Sequence, residues 1–375
     1  MIKHVLGQRI GEATDSRGAC VRVDMAVIRR NAAVLKEKVT EGALLMAVVK
    51  ANAYGHGMTE TARAALQGGA QWLGVATAEE GAALRSVGII APCLVLGNVN
   101  AQSARIAVQA DLVQTVCDRK GVMLLQNACE QLGKRVRVHL KIDTGMQRIG
   151  ARTAEEIKDV LAALDACPAV QLTGAFTHFA DAGNEARTRT QFVRFMDLLK
   201  LLPDGIMRHA AASEAMLRYP EMHLDMVRVG IALYGCLGEG TQPAMQWETR
   251  VAYVKDIAPG DQVGYGGTFT AQERMRVATV AVGYGDGYAR ACSGRASVLI
   301  HGQRCHVLGR VCMDQTIVDV THVPDVQEGE TVVLMGVQGD TRITPAELAS
   351  YADTIDYEAL MWHSGRVPVV TENIL

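Results

Sequence analysis

Residues 44–57 read Leu-Leu-Met-Ala-Val-Val-Lys-Ala-Asn-Ala-Tyr-Gly-His-Gly, an unbroken apolar run that leads into a polar turn. A short apolar run closed by turn-forming residues is typical of a buried strand in a parallel sheet. Similar runs recur along the first two thirds of the chain: Cys20–Val23, Trp72–Val75, Cys93–Leu96, Leu112–Val116, Val136–Ile142, Val170–Phe176 and Met226–Val229. Amphipathic segments lie between several of them. This alternation predicts an α/β fold, a (β/α)8 barrel of the TIM type.

The pattern changes near Cys236–Ala244, a stretch rich in turn formers that we interpret as a linker. Beyond it, β-type runs follow one another without long helices: Arg276–Val282, Ala296–Ile300, Cys305–Leu308, Thr316–Val320 and Thr331–Met335. One helix start is predicted, with Thr344 as N-cap and Pro345 and Glu347 in the first turn. We therefore predict a barrel over residues 1–238 and a mostly β C-terminal domain over residues 239–375.

Composition excludes several classes of protein. The chain has 375 residues, which suits two domains, and its formal net charge is -2, so there is no overall basic field to attract nucleic acid or an anionic membrane. Nine cysteines without C-x-x-C spacing argue against a disulfide framework or a zinc module, and we expect no metal site. Neither a signal peptide nor a spanning segment is evident, so the sequence predicts a cytoplasmic protein.

Polar side chains follow the apolar runs, and in a barrel enzyme the carboxyl ends of the strands carry the active site. Cations outnumber carboxylates at these positions, which favours an anionic ligand such as a phosphate or carboxylate. Lys50 directly follows a buried run. Desolvation lowers the pKa of a lysine amine, and such an amine can form a Schiff base with an aldehyde cofactor. Alone, the position more often indicates a lysine that extends from a strand end towards solvent.

The run from Ala47 to Gly57 resembles the cofactor-attachment signature of the alanine racemase family. Four further segments match in the expected order: Lys141–Gly150, Arg228–Gly235, Val263–Gly267 and Gly309–Gln315. The resemblance extends from about residue 19 to Pro368. It implies a barrel with a β domain, an isomerase that interconverts L- and D-alanine with pyridoxal 5'-phosphate, a homodimer with shared active sites, and supply of D-alanine for peptidoglycan.

The resemblance also implies a role for each matching residue. Lys50 holds the cofactor and is the base on one face of the substrate α-carbon, and Tyr265 of the partner subunit is the base on the other face. Arg228 faces the pyridine nitrogen, and His178 orients Arg228. The residues implied to bind the cofactor phosphate are Tyr54, Ser213, Gly230 and Ile231.

The substrate side of the site is implied in the same way. Arg148 pairs with the substrate carboxylate, Met313 of the partner approaches that carboxylate through its backbone, and Tyr284 lies at the entrance. Lys141 resembles a lysine that is carbamylated in many members of the family and supports Arg148.

Some positions depart from the family pattern. Ala212, Gln147 and Val229 replace a common asparagine, glycine and proline, and Gly365 stands where many members have a tyrosine that reaches the phosphate. The pocket opened at Gly365 suggests serine or another small amino acid as an alternative substrate. An amino-acid decarboxylase of the same plan and a non-catalytic cofactor-binding protein remain as rival interpretations, although the motifs around Tyr265 and Arg228 favour racemisation.

Overall fold

The computed structural model describes residues 14–374, which form two compact units. Within the described residues, the first unit contains 28–53 and 58–242, and the second contains 14–27, 54–57 and 243–374. The division thus falls between Gln242 and Pro243 rather than at 238/239, and two short N-terminal segments belong with the C-terminal part. Residues 1–13 of the predicted barrel and residue 375 of the predicted β domain lie outside the described residues.

The first part of the chain alternates strands and helices. In chain order the elements are β1 (Cys20–Asp24), α1 (Met25–Glu37), β2 (Leu44–Val48), the left-handed turn α2 (Lys50–Tyr54), α3 (Met58–Gln67), β3 (Trp72–Val75), α4 (Ala78–Ser86), β4 (Cys93–Val95), α5 (Ala101–Gln109), β5 (Val113–Val116), α6 (Arg119–Leu132), β6 (Val136–Lys141), α7 (Ala154–Asp165), β7 (Val170–Phe176), α8 (Glu185–Leu199), β8 (Met207–His209), α9 (Ser213–Arg218) and β9 (Met226–Val229).

Eight of these strands form one parallel sheet in the order β8-β7-β6-β5-β4-β3-β2-β9. The two outer strands approach each other, because the N–H of Asp225 donates to the carbonyl of Arg208 and the N–H of Arg228 donates to the carbonyl of Ala211, both at 3.0 Å. The sheet is therefore a nearly closed eight-stranded barrel with helices between its strands. The predicted (β/α)8 barrel is confirmed.

The helices of the barrel begin where side chains cap them. Thr77, Asn100, Asp118, Thr153 and Asn184 each accept a hydrogen bond from a backbone N–H in the first turn of the helix that follows. Such caps satisfy N–H groups that have no partner within the helix. Each of these five turns between a strand and its helix is thereby fixed locally, which gives the carboxyl edge of the sheet a defined shape.

An apolar cluster is contributed by five strands of the barrel, β2, β4, β5, β7 and β9: Met46, Leu94, Val113, Phe176 and Met226, with Leu44, Trp72, Leu96 and Met207 packed against it. Residues two apart on a strand share a face. A strand whose residues fill this core therefore also carries, nearer its carboxyl end, residues on the same face that lie at the carboxyl edge of the barrel.

The second unit is mostly β, as predicted. Its elements beyond the linker are β10 (Met245–Ile257), β11 (Gln262–Val263), β12 (Phe269–Thr270), β13 (Met275–Val280), β14 (Ser297–Ile300), β15 (Gln303–Leu308), β16 (Thr316–Asp319), β17 (Thr331–Gln338), β18 (Thr341–Ile343), α10 (Pro345–Ser350), α11 (Asp356–Ala359) and β19 (Val369–Glu372). Strand β10 pairs with both β13 and β17, so the antiparallel strands β10, β13, β16, β15, β14 and β17 close into a ring. Helix α10 is capped by Thr344, as predicted.

The assignment of Cys20–Val23 to the barrel was wrong. Strand β1 pairs antiparallel with β10, Cys20 opposite Glu248, and parallel with β19, Val21 opposite Val369. A short apolar run specifies a buried strand without specifying the sheet to which it belongs.

Candidate active site

The turn after β2 has an unusual backbone conformation. Ala51, Asn52, Ala53 and Tyr54 all have φ between 51° and 56°, a left-handed turn that costs L-residues about 1–2 kcal/mol each. Side-chain acceptors stabilise it: the N–H of Ala51 donates to Glu80 Oε1 at 2.7 Å, and the N–H of Met58 donates to Asn52 Oδ1 at 2.9 Å. Strained backbone of this kind is concentrated at functional sites.

Lys50 lies at the start of this turn and is half-buried at the carboxyl edge of the barrel. Burial lowers the pKa of its amine, the positive charge of Arg148 lowers it further, and Glu80 partly opposes both effects. A lysine with a lowered pKa has more of its amine in the neutral, nucleophilic form near neutral pH. A lowered pKa is the property expected of Lys50 from its position directly after a buried run.

Arg228 is a buried guanidinium with neutral partners. Its Nη1 donates to His209 Nδ1 at 2.8 Å, and its Nη2 donates to the carbonyls of Thr177 at 2.8 Å and Ala210 at 2.9 Å. Burial lowers the pKa of Arg228 to about 9, so the group is still cationic near neutrality. Among the described residues no carboxylate forms an ion pair with it. Of the two imidazoles near Arg228, that of His209 is the closer, with its Nδ1 2.8 Å from Nη1. The Nδ1 of His178 lies 3.4 Å from Nη2.

Lys141 ends strand β6 and is almost fully buried. Its Nζ lies 4.4 Å from the centre of the Phe176 ring. Burial holds the pKa of its amine well below the ordinary value, and repulsion from Arg228 and Arg148 adds to this, with Asp143 in partial opposition. The barrel thus contains a second amine whose pKa is lowered by its surroundings.

Asp143 organises the loop that carries Arg148. Its carboxylate accepts the backbone N–H of Gly145 at 2.8 Å and of Arg148 at 2.9 Å. Burial alone raises the pKa of Asp143, but these bonds and one from the N–H of Gln147 bring it below its usual value. Gln147 has a φ of 57°, a conformation that favours the glycine common at this position and that glutamine adopts at some cost; nothing in the structure explains the replacement.

Ser213 and the turn after β9 form a small polar cup. The buried Oγ of Ser213 accepts the N–H of Gly230 at 2.9 Å and of Ala232 at 3.3 Å. Between them, the N–H of Ile231 has no acceptor within residues 14–374. The serine O–H and the Ile231 N–H are thus two donors placed side by side, a local arrangement suited to an anion.

The other residues singled out from the sequence belong to the second unit. Tyr54 is buried, its ring centre lies 5.9 Å from that of Tyr357, and burial raises the pKa of its phenol well above the usual value. Tyr284 and Met313 are brought together, since the N–H of Gly285 donates to the Met313 carbonyl at 2.8 Å. Tyr265 is 70% exposed in a short 3-10 turn.

Sequence reasoning missed the part played by two histidines. His139 on β6 and His209 on β8 are fully buried, and His209 contacts Arg228 directly. His139 lies inside the apolar run Val136–Ile142 and therefore resembles a core residue, whereas His209 follows Met207 among the polar residues at the strand ends, without a predicted partner. The available signal was spacing, because His139 and Lys141 are two residues apart and must share a face of the strand.

Residues 14–374 lack both a side-chain cluster for a metal ion and a helix that could cross a membrane. That part of the chain contains no cluster of three or more His, Cys, Asp or Glu side chains suited to hold a metal ion. None of its helices has the length and apolar character required to cross a bilayer.

Comparison with known proteins identifies the family. Residues 23–238 match the model of the alanine racemase N-terminal domain, and residues 244–371 match that of its C-terminal domain. The chain belongs to the alanine racemase family. The family resemblance and the fold predicted from the sequence are both confirmed.

Similar proteins and solved structures cover almost the whole chain. An alanine racemase of Desulfosudis oleivorans is 42% identical over 94% of this chain and 96% of its own. The structure of alanine racemase from Bacillus anthracis with bound L-Ala-P has a TM-score of 0.89 and 35% identity, with 95% of each chain covered. A histidine racemase of Leuconostoc mesenteroides has a TM-score of 0.87 and 30% identity, with 95% of this chain and 98% of its own covered.

Proposed function

We propose that this protein interconverts L- and D-alanine with pyridoxal 5'-phosphate bound at Lys50. The observation that carries the proposal, within this family, is the buried Arg228 guanidinium whose partners are imidazoles and carbonyls. Arginine donates hydrogen bonds but does not readily give up a proton, so a pyridine nitrogen facing it stays largely unprotonated. A decarboxylase of the same plan is expected to place a carboxylate there instead.

The donor set fits a phosphorylated aldehyde. Lys50 supplies an amine of lowered pKa for the aldehyde. The Ser213 hydroxyl and the Ile231 N–H supply donors for a phosphate, with Gly230 holding Ser213 Oγ in place through its own N–H, and we assign the phenol of Tyr54, kept protonated by its raised pKa, to the same group. When bound, the cofactor withdraws electrons from the substrate α-carbon and so acidifies its C–H bond.

Inversion of configuration needs a proton acceptor on each face of the α-carbon. In the proposed reaction the Lys50 amine takes a proton on one face, and the Tyr265 phenol of a second subunit delivers one on the other. The roles exchange in the reverse direction. The lowered pKa of Lys50 serves this step, because the neutral amine is its working form.

Arg148 is assigned to the substrate carboxylate, which a planar guanidinium binds well. Lys141, whose amine has a lowered pKa and lies near the charges of Arg228 and Arg148, is assigned as a carbamylated lysine that supports Arg148. The amine adds to carbon dioxide and loses a proton, which places a negative charge between cations. The Met313 backbone and Tyr284 of a partner subunit are assigned to the substrate carboxylate and the entrance.

This assignment requires a homodimer in which each active site is completed by the partner. Alanine as substrate further implies a cytoplasmic enzyme that supplies D-alanine for peptidoglycan.

The test is a chiral assay. Purified protein with pyridoxal phosphate is incubated with L-alanine, and optical rotation is followed with time. We expect rotation to fall to zero, and no fall with Lys50→Ala, which lacks the amine. Constant rotation with the wild-type protein, or loss of carbon dioxide instead, would overturn the proposal.

A second candidate substrate follows from Gly365. A Cβ placed on this residue meets no atom within 4 Å, so the position has room for a side chain. The histidine racemase of the same fold is a relative whose named substrate is larger than alanine. L-Serine is therefore assayed in parallel. A rate comparable to that for alanine, lowered by Gly365→Tyr, supports a broader specificity; a serine-to-alanine ratio unchanged by Gly365→Tyr rejects a role for this position.

A further inference from the structure

Three buried side chains form a chain of hydrogen bonds through the barrel interior. Arg228 Nη1 lies 2.8 Å from His209 Nδ1, and His209 Nε2 lies 2.9 Å from His139 Nδ1. Arg228 is 3% exposed and both histidines are fully buried. The Phe176 ring stacks on His209 at 4.7 Å with an interplanar angle of 4°, which fixes the plane of the central imidazole.

The chemistry of arginine determines the proton positions. A guanidinium can only donate, so His209 Nδ1 must accept. Burial and the charge of Arg228 hold the pKa of His209 well below its usual value, so the ring is neutral and carries its proton on Nε2. That N–H then donates to His139 Nδ1. Burial lowers the pKa of His139 to about 3, so this ring is also neutral and must carry its proton on Nε2.

The chain of bonds ends in a donor without a partner. His139 Nε2 is buried and has no hydrogen-bond acceptor among residues 14–374. The neighbouring strand β7 leaves space for the ring because Gly174, paired with His139, has no side chain. A Cβ on Gly174 would lie only 2.6 Å from His139 Nε2. An unpaired buried donor is unfavourable for folding, so packing alone does not account for a histidine at this position.

The same bonds decide which donors Arg228 offers to a ligand. A guanidinium has five N–H groups. One on Nη1 is taken by His209, and both on Nη2 are taken by the Thr177 and Ala210 carbonyls. The second Nη1 proton and the Nε proton remain. Because the acceptors are all neutral, they orient the guanidinium without cancelling its charge.

We propose that His139 is a positioning residue, which acts through the tautomer of His209 to set the orientation of Arg228. The inference rests on the proposed function, in which Arg228 faces the pyridine nitrogen. If His139 no longer accepts, His209 loses the bond that holds its proton on Nε2. In the other tautomer the proton lies on Nδ1, so that His209 N–H and Arg228 N–H point at each other as two donors. Their repulsion displaces the guanidinium.

Two substitutions separate this role from packing. His139→Leu removes the acceptor. His139→Asn places an amide oxygen near the former Nδ1 and so keeps the acceptor, although its NH2 group introduces donors of its own; it should therefore restore the tautomer of His209. The control is His223→Leu, which removes another buried histidine of the same unit, one bonded to the Met216 carbonyl and Thr40 rather than to Arg228.

The first measurement is 15N NMR of full-length, cofactor-loaded protein labelled in histidine, with His209 assigned by substitution. We expect His209 Nδ1 to be pyridine-like and Nε2 pyrrole-like in wild type, His139→Asn and His223→Leu. In His139→Leu we expect this pattern to be lost. A protonated Nδ1 in wild type, or an unchanged pattern in His139→Leu, overturns the proposal whatever the enzyme's activity.

The second measurement is the number of abortive transamination events per racemisation event with L-alanine. We expect it to rise about tenfold in His139→Leu, the factor that a barrier change of about 1.4 kcal/mol produces. KM for alanine should change little, and His139→Asn and His223→Leu should keep the wild-type ratio. An unchanged ratio in His139→Leu contradicts the positioning role, whereas absence of racemisation in wild type contradicts only the proposed function.

Discussion

At the scale of single residues, the barrel interior is notable for a buried guanidinium that has no carboxylate partner in the described part of the chain. Arg228 is nearly fully buried, and burial holds the pKa of its neighbour His209 well below the usual value. Burying charge without a paired opposite charge is unfavourable. The unpaired positive charge that weakens the fold therefore also favours ligands that bring negative charge into the site, such as a phosphate and a carboxylate.

The buried histidines should make the protein sensitive to acid. Burial, with the charges of Arg137 and Arg228 in addition, lowers the pKa of His139 from 6.5 to about 3. Between these values the unfolded chain binds a proton that the folded chain does not, so this contribution to stability is lost as pH falls from 6.5 towards 3. Denaturant unfolding at several pH values should show a smaller loss for His139→Asn than for wild type. Equal losses would contradict a neutral, buried His139.

At the scale of elements, the site depends on turns that are fixed by their own side chains. Side-chain caps begin α4 to α8, and side-chain acceptors hold the left-handed turn after β2. Because the turn residues are not glycines, their conformation is maintained against an intrinsic preference. The position of Lys50 is thus determined locally by the residues that follow it.

Paired glycine substitutions test the strain in this turn. Ala51 has a φ of 52°, where glycine is favoured, whereas the exposed Ala162 lies within the right-handed helix α7. Ala51→Gly should raise the free energy of unfolding by about 1 kcal/mol, and Ala162→Gly should lower it by a similar amount. Equilibrium denaturation measures both. A loss of stability in Ala51→Gly as large as that in Ala162→Gly would show that the turn is unstrained.

At the scale of the whole molecule, the sequence predicts most of the architecture and only part of the site. The strand–helix rhythm from Leu44 onwards predicts the barrel because each strand neighbours the next in the chain. Strand β1 was misassigned because its partner β10 lies more than two hundred residues away, at Glu248. His139 was missed because a polar residue within an apolar run carries no sign of the contact it makes across a barrel, and the contact of His209 with Arg228 was missed because the two residues lie on different strands.

Mixed subunits test whether the active site is shared. Lys50→Ala and Tyr265→Phe each remove one proposed base. If the two bases of a site come from different subunits, refolding an equal mixture should restore about a quarter of wild-type activity, since half of the dimers are mixed and each has one intact site. Activity assays before and after mixing measure this. No recovery, with mixed dimers demonstrated by differential tagging, would mean that both bases belong to one subunit.

The most direct test of the account is the site of cofactor attachment. Lys50 and Lys141 both have amines of lowered pKa in the barrel, so chemistry alone does not choose between them. Protein loaded with pyridoxal phosphate is reduced with borohydride, digested and mapped by mass spectrometry. In the wild-type protein we expect the reduced adduct on Lys50 and none on Lys141. In Lys50→Ala we expect no adduct at either position. An adduct on Lys141, or none on Lys50, would contradict the central claim.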